Sequence, residues 1–171
     1  IVRSPHAHAT INSIDSSAAS AMPGVVKILT ATDFEAFGGV PCGWLVNSQN
    51  GDPMVEPKHP ILAEGKVRHV GDPIAVVIAN TRGQAPDAAD AVEVDYSALP
   101  AVVSMRQAID NPPAAVHDDA ANNVCYDWAI GDKAEVDAAF ASAAHVTRLE
   151  FTNNRVSPNA MEPRCAIGDY D

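Results

Sequence analysis

The sequence predicts an α/β domain whose strands supply most of its core. Three observations carry that reading. Alternating or wholly apolar runs of strand length recur along the first hundred residues. Short Ala-rich stretches with helix-capping residues lie between them. The apolar content, 47%, is mostly Ala and Val with few aromatics, which favours close helix-on-sheet packing over a large aromatic pocket. A length of 171 residues suits one domain, or one domain and part of another.

The elements follow in order. Ala9-Thr10-Ile11-Asn12-Ser13-Ile14-Asp15 alternates as a half-buried strand does. Residues 16–22 suit one or two helical turns, stopped by Pro23-Gly24. Residues 25–29 are a second strand, and Thr32-Asp33 can cap a short helical turn ending near Gly38-Gly39. Residues 38–60, rich in Gly, Pro and Asn, read as a long surface loop, a feature that tends to be functional or an interface.

Residues 66–70 are expected to be a strand and Gly71-Asp72-Pro73 a turn. The run Ile74-Ala75-Val76-Val77-Ile78-Ala79 suits a strand covered on both faces. A helix to about Val92 follows. Its start is ambiguous, because Thr81-x-x-Gln84 reads as a capping box whereas Pro86 favours a start near Ala85. Residues 93–96 are a strand, 99–103 continue extended, and 104–108 form a helical turn. Asn111-Pro112-Pro113 reads as a linker. Asp132-x-x-Glu135 opens a helix carrying Val136, Ala139, Phe140 and Ala143 at helical spacing. Residues 145–152 are expected to be a strand, with Thr147, Leu149 and Phe151 on one face, and Cys165 to Asp169 begins another.

Charge excludes some partners. The formal charge of −11 repels phosphate backbones and anionic headgroups, so neither nucleic acid nor a membrane surface is an expected partner. No apolar run is long enough for a membrane span. Cys42, Cys125 and Cys165 make neither a disulfide framework nor a zinc pattern and read as reduced thiols of a cytoplasmic protein. The start is not a signal peptide and lacks an initiator Met, so a truncated N-terminus is expected.

The polar motifs are weak. His6-x-His8 places two imidazoles on one side of an extended segment, but no third ligand lies at a diagnostic spacing. A surface or hydrogen-bonding role is the better reading. Asp72 is read as the carboxylate of an Asx-type turn rather than a catalytic acid. Gly38, Gly39 and Gly43 make no dinucleotide fingerprint, and there is no phosphate-binding loop or nucleophile elbow. Glu162-Pro163-Arg164 is the densest polar cluster, and structural pairing is its simpler reading. No catalytic, cofactor-binding or metal-ligating residue is assigned. From the residues alone, this is an acidic α/β domain without the chemistry of a complete enzyme.

Taken in order, several stretches resemble the large subunit of molybdenum hydroxylases: the xanthine dehydrogenase, aldehyde oxidase and aerobic carbon monoxide dehydrogenase family. They are Val2-Arg3-Ser4-Pro5-His6-Ala7-His8-Ala9, Met22-Pro23-Gly24-Val25, Val70-Gly71-Asp72-Pro73-Ile74-Ala75-Val76-Val77, Val92-Glu93-Val94-Asp95-Tyr96, Leu99-Pro100-Ala101-Val102 and Met161-Glu162-Pro163-Arg164. The resemblance implies an α/β hammerhead domain, a mixed sheet with packed helices, over residues 1–110. It implies a linker over 111–130 and the truncated start of a molybdopterin-binding domain over 131–171. The chain would then be a fragment, structural and inactive by itself.

In that family a molybdenum–pterin cofactor hydroxylates an aldehyde or N-heterocycle, or oxidises carbon monoxide. Electrons leave through iron–sulfur clusters, often to FAD, on other domains or subunits. Implied partners are the remainder of the large subunit, the iron–sulfur and flavin subunits or domains, and a small-molecule substrate. Unpaired edges also leave a homo-oligomer open. The family's catalytic glutamate, glycine-rich pterin loops and cluster cysteines match nothing here, and Glu162 belongs to the opening motif rather than the base. The rival reading is a free-standing acidic interaction module with a hammerhead fold. An independent hydrolase lacks any nucleophile–base pattern.

Overall fold

The structure, a computed structural model, describes residues 1–153, 161–162 and 165–169. The chain divides into two compact units, Ile1–Ala129 and Ile130–Asp171. The first is built on six strands: β1 (Val2–Arg3), β2 (Ala9–Asp15), β3 (Val25–Leu29), β4 (Lys66–Val67), β5 (Pro73–Ala79) and β6 (Glu93–Ala98). They form two three-stranded sheets, ordered β1-β5-β3 and β4-β2-β6. Every pairing is antiparallel.

The α/β class therefore holds, but the mixed sheet gives way to two antiparallel ones. The connections explain why. Helix α1 (Ser17–Ser20) joins β2 in one sheet to β3 in the other, and α2 (Gln84–Asp90) joins β5 back to β6. A parallel pair needs a crossover returning to its own sheet. Both helices instead pass from one sheet to the other.

Two apolar clusters meet between these elements. Ala9, Ala63, Val67 and Ile74 form one, flanked by Ile11, Ile14, Val94 and Tyr96. Ala19, Val77, Ala88 and Val92 form the other, where the helices press their alanines onto β5. Ile14 and Val94 touch both. On a regular strand Ile11 and Ile14 would face opposite sides. The register of β2 against β6 shifts between Ile11 and Ser13, so Asn12 is an extra residue that returns Ile14 to the core side. Its amide is used at the surface, donating to Asp95 Oδ2 at 3.0 Å and Ser97 Oγ at 2.9 Å. A second shift lies between Val25 and Lys27, which leaves Val26 outside, 64% exposed.

The helix ends refine the expectations. The turn after β3 is a 3-10 helix, Ala31–Phe37, capped by Thr30 rather than by Thr32-Asp33. The Asp33 carboxylate accepts the Thr30 N–H at 2.8 Å, completing a capping box. Both readings of the α2 start meet in one geometry. Thr81 Oγ1 accepts from Gln84 N at 3.3 Å, and Pro86 falls third in the helix, where an N–H has no intrahelical acceptor anyway. The helix ends at Asp90, short of Val92. Helix α3 (Met105–Asp110) is capped by Ser104. Strand β4 stops at Val67 instead of running to Val70, because the Arg68 N–H is taken by the Asp72 carboxylate at 2.9 Å. Residues 38–60 form no strand and close through the bridges Gly39↔Pro60 and Asn47↔Pro53, with the Cys42 N–H donating to the Glu56 carboxylate at 2.9 Å.

In the second unit, α4 (Lys133–Ser142) starts at Asp132, whose carboxylate accepts the Glu135 N–H at 3.0 Å. Lys133 and Asp137 pair one turn apart. The strands expected over 145–152 and 165–169 do not form. Alternation marks which face a strand would bury, but a strand exists only with a hydrogen-bonded neighbour. None pairs with them among the described residues. Every described residue of this unit is exposed. Glu162 is among them, whereas Pro163 and Arg164 lie outside the described residues.

Two stability predictions follow from this packing. Gly24 has φ +83, and a Cβ there would stand 2.3 Å from Gln84 Oε1. Gly24→Ala should cost at least about 1–2 kcal/mol for the left-handed backbone alone. Ile74→Ala should cost about 2–5 kcal/mol as a buried cavity. Val26→Ala, on an equally β-branched residue, should stay within about 0.5 kcal/mol. Denaturant unfolding of the three variants checks the close approach of the Gly24 turn to α2, the core at Ile74 and the bulge at Val26.

Candidate functional site

The most developed polar site lies where residues 111–129 fold back on β4 and the 38–60 loop. It is built from local chemistry. Asn123 adopts φ 58, a left-handed conformation that Asn tolerates better than most residues. From there its side-chain oxygen accepts the Val116 N–H at 2.9 Å, and its amide donates to the Ala114 carbonyl at 2.9 Å. One side chain thus closes a turn that presents Val116, His117, Asp118 and Asp119 to β4.

Strand β4 and the residue after it answer with two cations. Lys66 Nζ donates to both oxygens of Asp118, at 2.8 and 2.9 Å. Arg68 Nε donates to the Val116 carbonyl at 3.0 Å. Beside them Lys58 pairs with Glu64 at 2.6 Å. Pro57, Lys58, Pro60, Glu64, Arg68 and residues 117–119 enclose a cavity of about 110 Å³. Further along, Val55 N donates to the Cys125 carbonyl and Gln49 N to the Asp127 carbonyl, both at 2.8 Å.

These surroundings act on two titrating groups. Burial pushes the His117 pKa down, helped by the Arg68 charge and opposed by Asp119 and Asp118. The hydrogen bond and charge of Lys66 hold the Asp118 carboxyl below its ordinary value. Around the cavity, Lys58 and Arg68 face Glu64, Asp118 and Asp119, so no single sign of ligand is favoured. No cluster of three or more His, Cys, Asp or Glu fit to hold a metal occurs among the described residues. The arrangement docks one segment on another and contains no nucleophile–base pair.

The residues singled out in the sequence are scattered. His8 is 94% buried by its 6% exposure, with Nδ1 at 2.8 Å from the Pro100 carbonyl and Nε2 without a partner. His6 instead packs against Tyr96 in a tilted ring contact, with centroids 4.8 Å apart, so the two imidazoles have different neighbours. Burial raises the Tyr96 pKa against a hydrogen bond from Ser4. The Asp72 carboxylate accepts the N–H of Arg68, four residues back, instead of one two residues on as an Asx-type turn would, so it binds backbone as expected but in a different turn, with His69 Nδ1 at 3.7 Å. Cys42, Cys125 and Cys165 are free. Sequence reasoning missed His117 and Asn123, because Pro112-Pro113 made the following segment look like a plain linker. The Asn122-Asn123 pair, a left-handed turn signal, was the available clue.

Two antiparallel sheets joined by helices that pass between them, with a docked polar segment, define an α/β domain of two packed layers. The chain belongs to the aldehyde oxidase and xanthine dehydrogenase a/b hammerhead family, whose model matches residues 1–100. The model of the molybdopterin cofactor-binding domain matches residues 116–171. The resemblance read from the ordered motifs is thus borne out. The nicotine 6-hydroxylase large subunit of Paenarthrobacter nicotinovorans is 36% identical, over 99% of this chain and 20% of its own length. The carbon monoxide dehydrogenase large chain of Afipia carboxidovorans is 34% identical, over 99% and 21%.

Among solved structures, the Cu,Mo carbon monoxide dehydrogenase superposes with a TM-score of 0.66 at 35% identity, over 84% of this chain and 18% of that one. Quinoline 2-oxidoreductase from Pseudomonas putida 86 gives 0.57 at 37%, over 66% and 14%. This chain therefore spans about a fifth of the length of the curated relatives it matches.

Asn123→Ala should cost about 1–3 kcal/mol, because it unpairs the Val116 N–H and the Ala114 carbonyl together. Asp118 should contribute a small term present above its ordinary value of 3.8 and lost as pH falls through its lower folded value. Asp118→Asn should remove that acid slope, measured by unfolding at graded pH.

Proposed function

We propose that this chain is the scaffold and the opening of the cofactor-binding domain of a molybdenum hydroxylase large subunit. Residues 1–110 are the hammerhead, 111–130 the connection, and 131–171 the start of the cofactor-binding part. One observation supports this most: both family matches lie in one chain, hammerhead first, and the relatives cover it almost end to end. The parent subunit binds a molybdenum–pterin cofactor and oxidises an electron-poor carbon of an aldehyde or N-heterocycle, or carbon monoxide. Relatives named for nicotine, carbon monoxide, quinoline and aldehyde oxidation support this range. Iron–sulfur and flavin centres lie on other domains or subunits of a cytoplasmic complex.

The described residues by themselves do not fit the cofactor. The second unit presents no buried donor, and the buried polar atoms without partners, His8 Nε2 and Gln84 Oε1, both lie in the hammerhead. No catalytic step is therefore derived from this chain, and the chemistry the cofactor supplies belongs to the assembled subunit.

The second reading is a free-standing acidic interaction module. The self-contained core of the first unit favours it. Exposed Phe140, Leu149 and Phe151 in the second unit weigh against it, since apolar side chains grouped on one short unit call for cover.

The deciding experiment pairs the length of the encoding reading frame with molybdenum analysis. Protein from a frame running several hundred residues further should carry about one molybdenum per large subunit. Residues 1–171 alone should carry none and show no turnover. A frame that ends at Asp171, with metal-free protein, would favour the interaction module.

A further inference from the structure

Residues 114–127 are fastened differently from the rest of the first unit. Ala120, at 4% exposure, is the one buried apolar side chain they contribute among the described residues. Of the segment's other apolar side chains, Ala114, Ala115, Val116, Val124 and Cys125 are only half-buried, and most of its bonds to the body are near water. Lys66 holds Asp118, whose side chain is 74% exposed. Arg68 Nε holds the Val116 carbonyl. Gln49 N, Gln49 Nε2 and Val55 N reach the Asp127 carbonyl, the Asp127 carboxylate and the Cys125 carbonyl, and Asp127 N donates to Ser48 Oγ at 3.1 Å. Exposed ion pairs and hydrogen bonds contribute little net stability. A segment with few buried apolar contacts and solvent-exposed bonds lies at the low end of local opening free energies. Meanwhile Asn123 fastens the segment to itself, so its turn is held without the sheet.

We propose that residues 114–127 are a detachable strap, which leaves β4 and residues 48–55 as one unit, and that protonation of His117 favours the detached form.

The groups facing His117 come from each neighbouring element. Lys58 and His59 lie on the loop, Glu64 before β4, Lys66 and Arg68 on and after it, and Asp118 and Asp119 on the strap itself. Burial and Arg68 disfavour the imidazolium in the docked form, and the two aspartates only partly offset them. The docked state therefore binds fewer protons. Docking is fully favoured at pH above the ordinary histidine value of 6.5 and weakens as pH falls below it. Because the cofactor-domain match begins at residue 116, release would free the first stretch of that match from the hammerhead. The inference concerns the first unit and stands apart from the proposed function.

Hydrogen exchange of the whole chain tests it, with rates corrected for intrinsic pH dependence. The amides of Gln49, Val55 and Asp127, which cross between strap and body, should share one protection level, at least about tenfold below that of β5. Their protection should fall further between about pH 7.5 and about pH 5.5 in the wild type but stay flat in His117→Gln. Asp118→Asn should lower strap protection at both pH values while the β5 amides stay unchanged, which also shows that the variant folds. Strap amides exchanging together with β5 would make the segment part of the cooperative core and overturn the proposal. An identical pH response in wild type and His117→Gln would overturn the role of His117. Neither result depends on molybdenum, so failure here leaves the family assignment untouched.

Discussion

Strand β5 is the constraint on which the rest of the hammerhead depends. It is the middle strand of its sheet, paired with β1 and β3 on its two edges. Its side chains also reach both cores, Ile74 into one cluster and Val77 into the other. A strand that serves two clusters cannot shift register by one residue without emptying both. That requirement explains its unbroken apolar composition. It also explains the bulges in its surroundings: β2 and β3 each carry an extra residue, and the extra residue sits where regular alternation would miss the core or the partner.

Much of this was legible in the sequence because it is local. Strands β2, β3 and β5 announce themselves by period and composition, and Pro23-Gly24 marks a turn whose φ the structure makes positive. Sheet membership was not legible. Whether α1 returns its chain to the same sheet or passes it to another depends on long-range pairing, which alternation does not encode. The bulge at Asn12 was hidden for a related reason. The sequence ATINSID alternates well enough to read as regular, and the spacing of three between Ile11 and Ile14 becomes meaningful only once both must face one core.

The site was harder to read than the fold. Its parts are ordinary in isolation: two lysines, one arginine, one glutamate, two aspartates and a histidine, spread from residue 58 to residue 119. Prolines 112 and 113 argued correctly that no helix or strand passes through the segment. They could not say that the chain would then lie down on β4. The same limit explains the second unit. Capping residues 132 and 135 specify the start of α4 locally, and it forms. The strands expected after it need partners, and periodicity cannot supply them.

The exposed apolar residues sort by the same logic. In the first unit, Val26 is outside because a bulge puts it there, and one such residue needs no cover. In the second unit, Phe140, Leu149 and Phe151 are exposed together, on a helix and an extended segment that the sequence patterned for burial. A pattern written for a core and found without one marks an element whose neighbours are elsewhere. That distinction separates the two units physically. The hammerhead closes its own core with two sheets and two helices, so it is expected to fold by itself. The second unit has a helix with sound local capping, but its apolar side chains, Val136 and Phe140 among them, are exposed among the described residues. Stability beyond that local capping has to come from contacts other than those described, because a short helix in water is marginal without tertiary packing.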